Sequence, residues 1–217
     1  MSDYNYKFNS FVASQLEKKK NITIVEFGVK EGRSTKVFLE HCKKNNGKLF
    51  SVDIDDYKNK FDDPNWTFIK SRDDNFDYLN DKLPNEIDLI YLDSLHEAEH
   101  VKKIFYHYYK RLKLNGLFFI DDISWLPYLK KQERDSFYCE INNHETFEKL
   151  LEIYHSNIDN FDLSFDFTSS GSCKILKKKN LLNPIKKFKT RMFSIKNLIR
   201  KIFKNLRLNL KKVFFII

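Results

Sequence analysis

Three acidic residues and two histidines stand where they could do chemistry. Asp93 closes the run "IDLIYLD", and Asp121-Asp122 close "GLFFIDD". Carboxylates gathered at one rim are hard oxygen donors, suited to Mg2+ or another divalent cation with water and substrate oxygens filling its shell. The stretch "YLDSLHEAEH" suggests a different metal, because His96, Glu97 and His100 match H-E-x-x-H. On a helix that pattern presents two imidazoles one turn apart to zinc, with the glutamate as general base and, here, Asp121 as a conceivable third ligand. Zinc hydrolases carry the motif inside a long helix, whereas the extended run "IDLIYLD" stops three residues before His96, so the hydrolase is the weaker reading. A third group is Gly28 and Gly32 in "VEFGVKEGRST" with Asp53 in "SVDID". The glycines allow a tight turn, the helix opening at Arg33-Ser34-Thr35 offers free N–H groups, and an acid 25 positions after Gly28 can accept both hydroxyls of a ribose. The spacing is not G-x-G-x-x-G, which counts against a dinucleotide.

Singly, each feature has a plainer explanation. Paired aspartates cap helices and line solvated turns, and an isolated histidine after a strand is more often a surface residue. What gives them weight is the frame that would carry them. Runs rich in β-branched and aromatic residues at 22–28, 48–54, 66–71, 87–93 and 116–122 alternate with helical stretches at 33–45, 74–82 and 97–112. That alternation predicts a parallel sheet with right-handed crossovers, a doubly wound α/β domain. A loop at 123–142, a helix at 143–155 and two strands, "FDLSFDF" and "SCKILKK", follow; "TSSG" joins the strands as a hairpin that closes a mostly parallel, seven-stranded sheet antiparallel. "LKLNG" reads as a tight turn at Asn115-Gly116 before the fifth strand. Ligands of such sheets bind beyond the carboxyl ends of the strands, which is where Gly28, Asp53, Asp93, Asp121 and Asp122 fall.

Composition limits the rest. A chain of 217 residues, 41% apolar and 16% aromatic, suits one well-cored domain with an appendage. The opening residues lack a secretory pattern and no apolar run nears the roughly 20 residues of a spanning helix, so a cytoplasmic protein is expected. Cys42, Cys139 and Cys173 are odd in number and far apart, which suggests reduced thiols. The net charge of +9 is lopsided: residues 183–217 hold eleven of the 39 Lys and Arg and no acid, leaving 28 basic against 30 acidic side chains in residues 1–182. The expected division is a domain at 1–182 and a tail at 183–217, with Asn183-Pro184 as cap and first turn of the tail helix. Apolar positions 185, 188, 192, 195, 199, 202, 206, 210 and 213 recur every three or four residues, giving a basic amphipathic helix about 50 Å long if continuous. An anionic membrane surface, a partner helix and nucleic acid could each receive it. The closing "VFFII" favours membrane, like charges disfavour a coiled coil with itself, and the body lacks a basic groove with interleaved aromatics, which disfavours nucleic acid.

"VEFGVKEGRST", "LFSVDID", "IDLIYLDSLH" and "LKLNGLFFIDDI" together resemble class I S-adenosylmethionine-dependent methyltransferases with a Rossmann-like sheet, specifically the metal-dependent sugar O-methyltransferases that include macrolide-sugar enzymes. The resemblance spans roughly residues 20 to 178. It implies that Glu26, Gly28, Gly32 and Ser34 lie at the methionine end of the cofactor, with Asp53 on its ribose and Asp73 of "SRDD" near its adenine. Asp73 departs from the family's Gly-Asp-Ser-like sequence, since Lys70-Ser71-Arg72 precede it. Asp93 would serve both cofactor and metal, Asp121 and Asp122 would complete the Mg2+ site, and His96 would be the general base. The acceptor implied is a sugar or glycan hydroxyl; the basic tail adds that the enzyme itself is held at the inner face of a membrane, with self-association open. The competing readings are an RNA methyltransferase and a non-catalytic membrane or nucleic-acid adaptor on the same fold.

Overall fold

In the computed structural model, residues 3–125, 137–186, 195–200 and 202–204 are described. They divide into two compact units, Met1–Pro184 and Ile185–Ile217.

The larger unit is built on one seven-stranded sheet. Its strands are β1 (Thr23–Phe27), β2 (Lys48–Asp53), β3 (Trp66–Lys70), β4 (Ile87–Leu92), β5 (Leu112–Asp121), β6 (Phe161–Asp166) and β7 (Ser172–Lys177), in the spatial order β3-β2-β1-β4-β5-β7-β6. The first five are parallel; β7 runs antiparallel to both β5 and β6. The doubly wound sheet with its closing hairpin is therefore as the periodicity predicts. Chain order reverses direction at β1, between β2 and β4, and both carboxyl ends there point to the same rim.

Side chains alternate across the strands, so neighbours face opposite layers. On one side Tyr91 and Phe119 pack with Phe38 of α2 (Arg33–Asn45) and with Phe8, Val12 and Leu16 of an N-terminal segment. That segment is α1 (Asp3–Lys7) followed by a π turn, Phe8–Val12. Phe8 is edge-on to both Phe38 and Tyr91, at 5.3 and 5.5 Å, and its burial contributes on the order of 1.5–3 kcal/mol. On the other side Phe105 of α4 (Ala98–Tyr108) meets Phe118 and Phe161. The short α3 (Phe76–Asn80) and the long α5 (Phe137–Ser156) complete the layers.

Three expectations change. No turn separates α4 from the fifth strand at Asn115-Gly116: β5 starts at Leu112, and Asn115 adopts φ 62° within it while the register against β4 slips between Ile87 and Leu89. An Asn-Gly pair serves a bulge as well as a turn because both need left-handed backbone. Asn183 does not cap a tail helix. Its amide side chain donates to Ser156 O at the end of α5, its backbone N–H donates to Asn157 Oδ1, and its carbonyl accepts from Tyr106 Oη; residues 181–186 carry no regular secondary structure. The N-terminal segment was not anticipated, although Phe8, Phe11, Val12 and Leu16 have helical spacing. Part of the 123–142 loop lies outside the described residues.

In the second unit, residues 195–200 and 202–204 are helical, and Ile195, Leu198, Ile199, Ile202 and Phe203 carry exposed side chains. The remaining tail positions lie outside the described residues.

Candidate active site

The carboxyl ends of β1, β2 and β4 enclose two adjoining cavities. The first, about 430 Å3, is lined by Gly28, Asp53, Asp73, Ser94 and the apolar Ile54 and Leu95. Ile54 is 64% and Leu95 44% exposed, so the cavity pairs open apolar surface with carboxylates. A nucleoside asks for that pairing, with a flat base against aliphatic carbon and hydroxyls against acceptors. Asp53 also builds the wall: its Oδ2 accepts from the N–H of Val29 at 2.7 Å and of Lys30 at 3.3 Å, which fixes the turn after β1. Asp73 accepts from Ser94 Oγ at 2.5 Å and lies 2.9 Å from His100 Nε2.

The second cavity, about 420 Å3, shares Gly28, Lys30, Asp93 and Ser94 with the first and adds Ser34, His96, Asp121 and Asp122. Here His96 Nε2 lies 3.5 Å from Asp93 Oδ1 and 3.4 Å from Asp122 Oδ2. Ligand atoms of these three residues fall within 4.8 Å of one another, the one such cluster among the described residues. Burial holds the Asp93 carboxyl well above the ordinary carboxylate range, and the like charges of Asp121 and Asp122 push it further. Asp122 is raised by burial and by Asp121, against the pull of His96 and Lys7. Two carboxylates and an imidazole, partly open to the cavity and crowded by like charge, fit a divalent cation.

A family model described as a methyltransferase domain matches residues 25–123, the span that carries Gly28, Asp53, Asp73, Asp93, His96, Asp121 and Asp122. Residues 25–123 thus form a methyltransferase domain. Its fold is shared with the MycE methyltransferase of the mycinamycin biosynthetic pathway, solved with Mg and S-adenosylhomocysteine (SAH): 18% identity, TM-score 0.56, covering 85% of this chain and 51% of that one. The methyltransferase described here thus spans about half the length of MycE. It also shares its fold with the SAH-bound Podospora anserina methyltransferase PaMTH1, at 16% identity and TM-score 0.57 over 82% of this chain and 86% of that one. A putative caffeoyl-CoA O-methyltransferase from Staphylococcus aureus gives 14% identity and TM-score 0.58 over 77% and 81%. No curated protein sequence matches the chain.

In this methyltransferase Gly28, Asp53, Asp73 and Asp93 line the first cavity, and Ser34 faces the second. Three residues sit differently from expectation. Glu26 lines neither cavity: it is fully buried, and its carboxylate accepts from Ser34 Oγ, Thr35 Oγ1 and Ser51 Oγ at 2.5, 2.8 and 2.7 Å. It ties β1 to the start of α2 and to β2 rather than meeting a ligand. Gly32 is also outside both walls; its φ of 75° and the proximity of Lys60 and Phe61 explain the glycine. Asp121 touches the second cavity, but its carboxylate faces inward, accepting from Lys7 Nζ at 2.6 Å, from Tyr91 Oη at 3.2 Å and from Ser172 Oγ, so it is not in the ligand cluster. Asp121 ends β5, whereas Asp122 lies past it with a left-handed φ of 56°, and the two side chains part at that turn.

The zinc reading fails on geometry. Helix α4 begins at Ala98, leaving His96 and Glu97 before it, and His100 is buried against Asp73 in the other cavity. The two imidazoles serve different sites. Lys7 was missed altogether, since nothing in "NYKFN" separates it from a solvated lysine.

Glu26 gives the methyltransferase a pH signature. Burial pushes its carboxyl from 4.5 up to about 7, with the three hydroxyl donors pulling back. A carboxyl whose pKa is raised by folding contributes stability fully below its unfolded pKa and loses it as pH rises through the folded one. Stability from this group should therefore decline by roughly 2–3 kcal/mol between about pH 4.5 and pH 8. Glu26→Gln should flatten that decline in urea unfolding measured across the range. An identical slope in the variant would remove Glu26 as its source.

Proposed function

We propose that this methyltransferase is a divalent-cation-assisted O-methyltransferase whose acceptor is a sugar or glycan hydroxyl presented at a membrane surface. The observation that carries the reading is the Asp93, His96 and Asp122 cluster in the second cavity, with Asp93 also on the wall shared with the first. A nucleoside cavity on one side and a carboxylate-imidazole cavity on the other suit transfer of a small group across Gly28, Asp93 and Ser94. MycE, which shares the fold, was solved with Mg and SAH, and another solved complex of it holds mycinamycin VI as well.

Asp93 and Asp122 would hold the cation, which when bound supplies positive charge that acidifies a nearby hydroxyl. S-adenosylmethionine, bound in the first cavity, supplies an already electrophilic methyl. The chain's own residues do the rest. His96 Nε2, open to the second cavity, accepts the proton of the acceptor hydroxyl, and Asp93 and Asp122 beside it fix the ring's orientation. Asp53 and the turn it fixes hold the ribose end, while the glycine at position 28 lets the ends of β1 and β4 close together so that the two cavities meet. Placing both reactants along one line replaces a chance encounter with a fixed approach.

Calorimetry tests cofactor and cation together. SAH should bind the wild type, and Asp53→Ala should weaken it by about 1.5–3 kcal/mol, the range for a lost charged hydrogen bond. Methyl transfer to a sugar hydroxyl should require the cation; full activity in chelator would remove the cation from the proposal.

The membrane surface rests on the tail. Its eleven basic residues stand without an acid, and within the described part Ile195, Leu198, Ile199 and Ile202 share a helix face while Lys196, Arg200 and Lys204 form another stripe. Each basic residue near an anionic leaflet contributes about 1 kcal/mol at best, and apolar insertion adds affinity that salt does not remove. No helix among the described residues is long and apolar enough to cross a membrane. Sedimentation with anionic liposomes should capture the full chain, partly reversed by salt, and should fail for a chain ending at Leu182. If the full chain ignores liposomes but binds RNA of any sequence with steep salt dependence, an RNA acceptor replaces the glycan.

A further inference from the structure

Lys7 and Asp121 form a buried ion pair beneath the second cavity. The ammonium lies 2.6 Å from Asp121 Oδ1, with side chains 1% and 2% exposed. Lys7 also donates to Ser170 Oγ at 2.9 Å and to Gly171 O at 3.4 Å, and it comes within 4.0 Å of Asp122 Oδ1. Burial alone would lower its pKa, but Asp121 and Asp122 reverse that and hold it raised, so the group is a fixed cation.

The surroundings show what this cation sets in place. With Tyr91 Oη and Ser172 Oγ also donating, the Asp121 carboxylate is engaged on both oxygens from inside the fold. Gly171 O, which Lys7 approaches, accepts the Asp122 N–H at 3.0 Å, and Asp122 takes a left-handed φ of 56°. The hairpin between β6 and β7 thus anchors the backbone at the point where the chain turns Asp122 outward. A π turn starts directly after Lys7, a geometry that is rare and mostly found where function requires it.

We propose that Lys7 is a positioning residue for the cation site: it draws Asp121 inward and leaves Asp122 as the one of two adjacent carboxylates offered, together with Asp93, to a divalent cation beside His96. The inference rests on the cation reading above. In its terms, Asp121 is the partner of Lys7 and not a ligand.

Mn2+ binding by calorimetry in the presence of SAH separates these roles without relying on turnover. In Asp121→Asn the ammonium loses its partner and has Asp122 as the nearest remaining carboxylate, where it competes with the cation; Mn2+ should bind at least about tenfold more weakly. In Lys7→Met with Asp121→Asn both charges are gone, and replacing a whole buried pair is usually tolerated where breaking it is not. Mn2+ affinity should then return to within about threefold of wild type, because neither removed group is a ligand. Affinity in the double variant as weak as in Asp121→Asn would make Asp121 a ligand and overturn the proposal, as would wild-type affinity in Asp121→Asn. Should Asp121→Asn fail to fold, the double variant decides alone: wild-type-like binding supports the role and loss of binding overturns it. A wild-type chain that binds no Mn2+ would overturn the cation site itself and the Lys7 role with it, an outcome distinct from failure in the variants.

Discussion

His96→Ala should lower methyl transfer roughly 10²–10⁴-fold while SAH affinity stays at the wild-type value, the range expected for loss of a general base. The two effects separate because His96 belongs to the second cavity and not to the first. Its side chain is 28% exposed, and Nε2 sits within 3.5 Å of carboxylate oxygens on Asp93 and Asp122. That placement orients the ring toward the cavity. Single-turnover rates with saturating cofactor measure the loss directly. A fully active variant would reduce His96 to a residue that merely lines the wall.

Gly28→Ala should be the most damaging small substitution in the chain. A Cβ at this position would lie 2.0 Å from Asp93 O and 2.7 Å from Asp93 C, both backbone atoms that no rotamer change can move, and φ is already 98°. Overlap and left-handed strain together should destabilise the fold by more than about 3 kcal/mol in urea unfolding. Any folded fraction should bind SAH poorly, since β1 and β4 would be forced apart at the wall of both cavities. Gly32→Ala separates the two causes: with φ 75° it shares the left-handed strain, but its Cβ would meet side-chain ends of Lys60 and Phe61, 2.9 Å away, and no backbone, so it should cost less than Gly28→Ala. A loss below about 1 kcal/mol in Gly28→Ala would show that the strand ends are not packed this closely.

Much of this arrangement is legible from local pattern. Strand ends locate Gly28, Asp53, Asp93 and Asp122 at one rim because a parallel sheet aligns its carboxyl ends, and hydrophobic runs mark those ends clearly. What local pattern leaves open is direction. Glu26 precedes a glycine turn and reads as a ligand-facing acid, yet strand alternation and the hydroxyls of Ser34, Thr35 and Ser51 enclose it. Asp121 and Asp122 read as a pair, although the strand ends at Asp121 and a left-handed backbone turns Asp122 away. His96 and His100 read as one zinc face because four residues suggest a helical turn, but the helix starts between them. Lys7 and Asp121 were beyond such reasoning: their 114-residue separation leaves no periodic trace, and only the folded chain brings them together.

That separation orders events during synthesis. Lys7 leaves the ribosome more than a hundred residues ahead of Asp121, and Ser170 to Ser172, which complete the nest around the ammonium, emerge later still. The opposing charges of the pair cannot be buried together until all three are present. A nascent chain therefore carries an incomplete rim until the β6–β7 hairpin docks, and proteolytic loss of the segment that carries Lys7 would undo what those strands had closed.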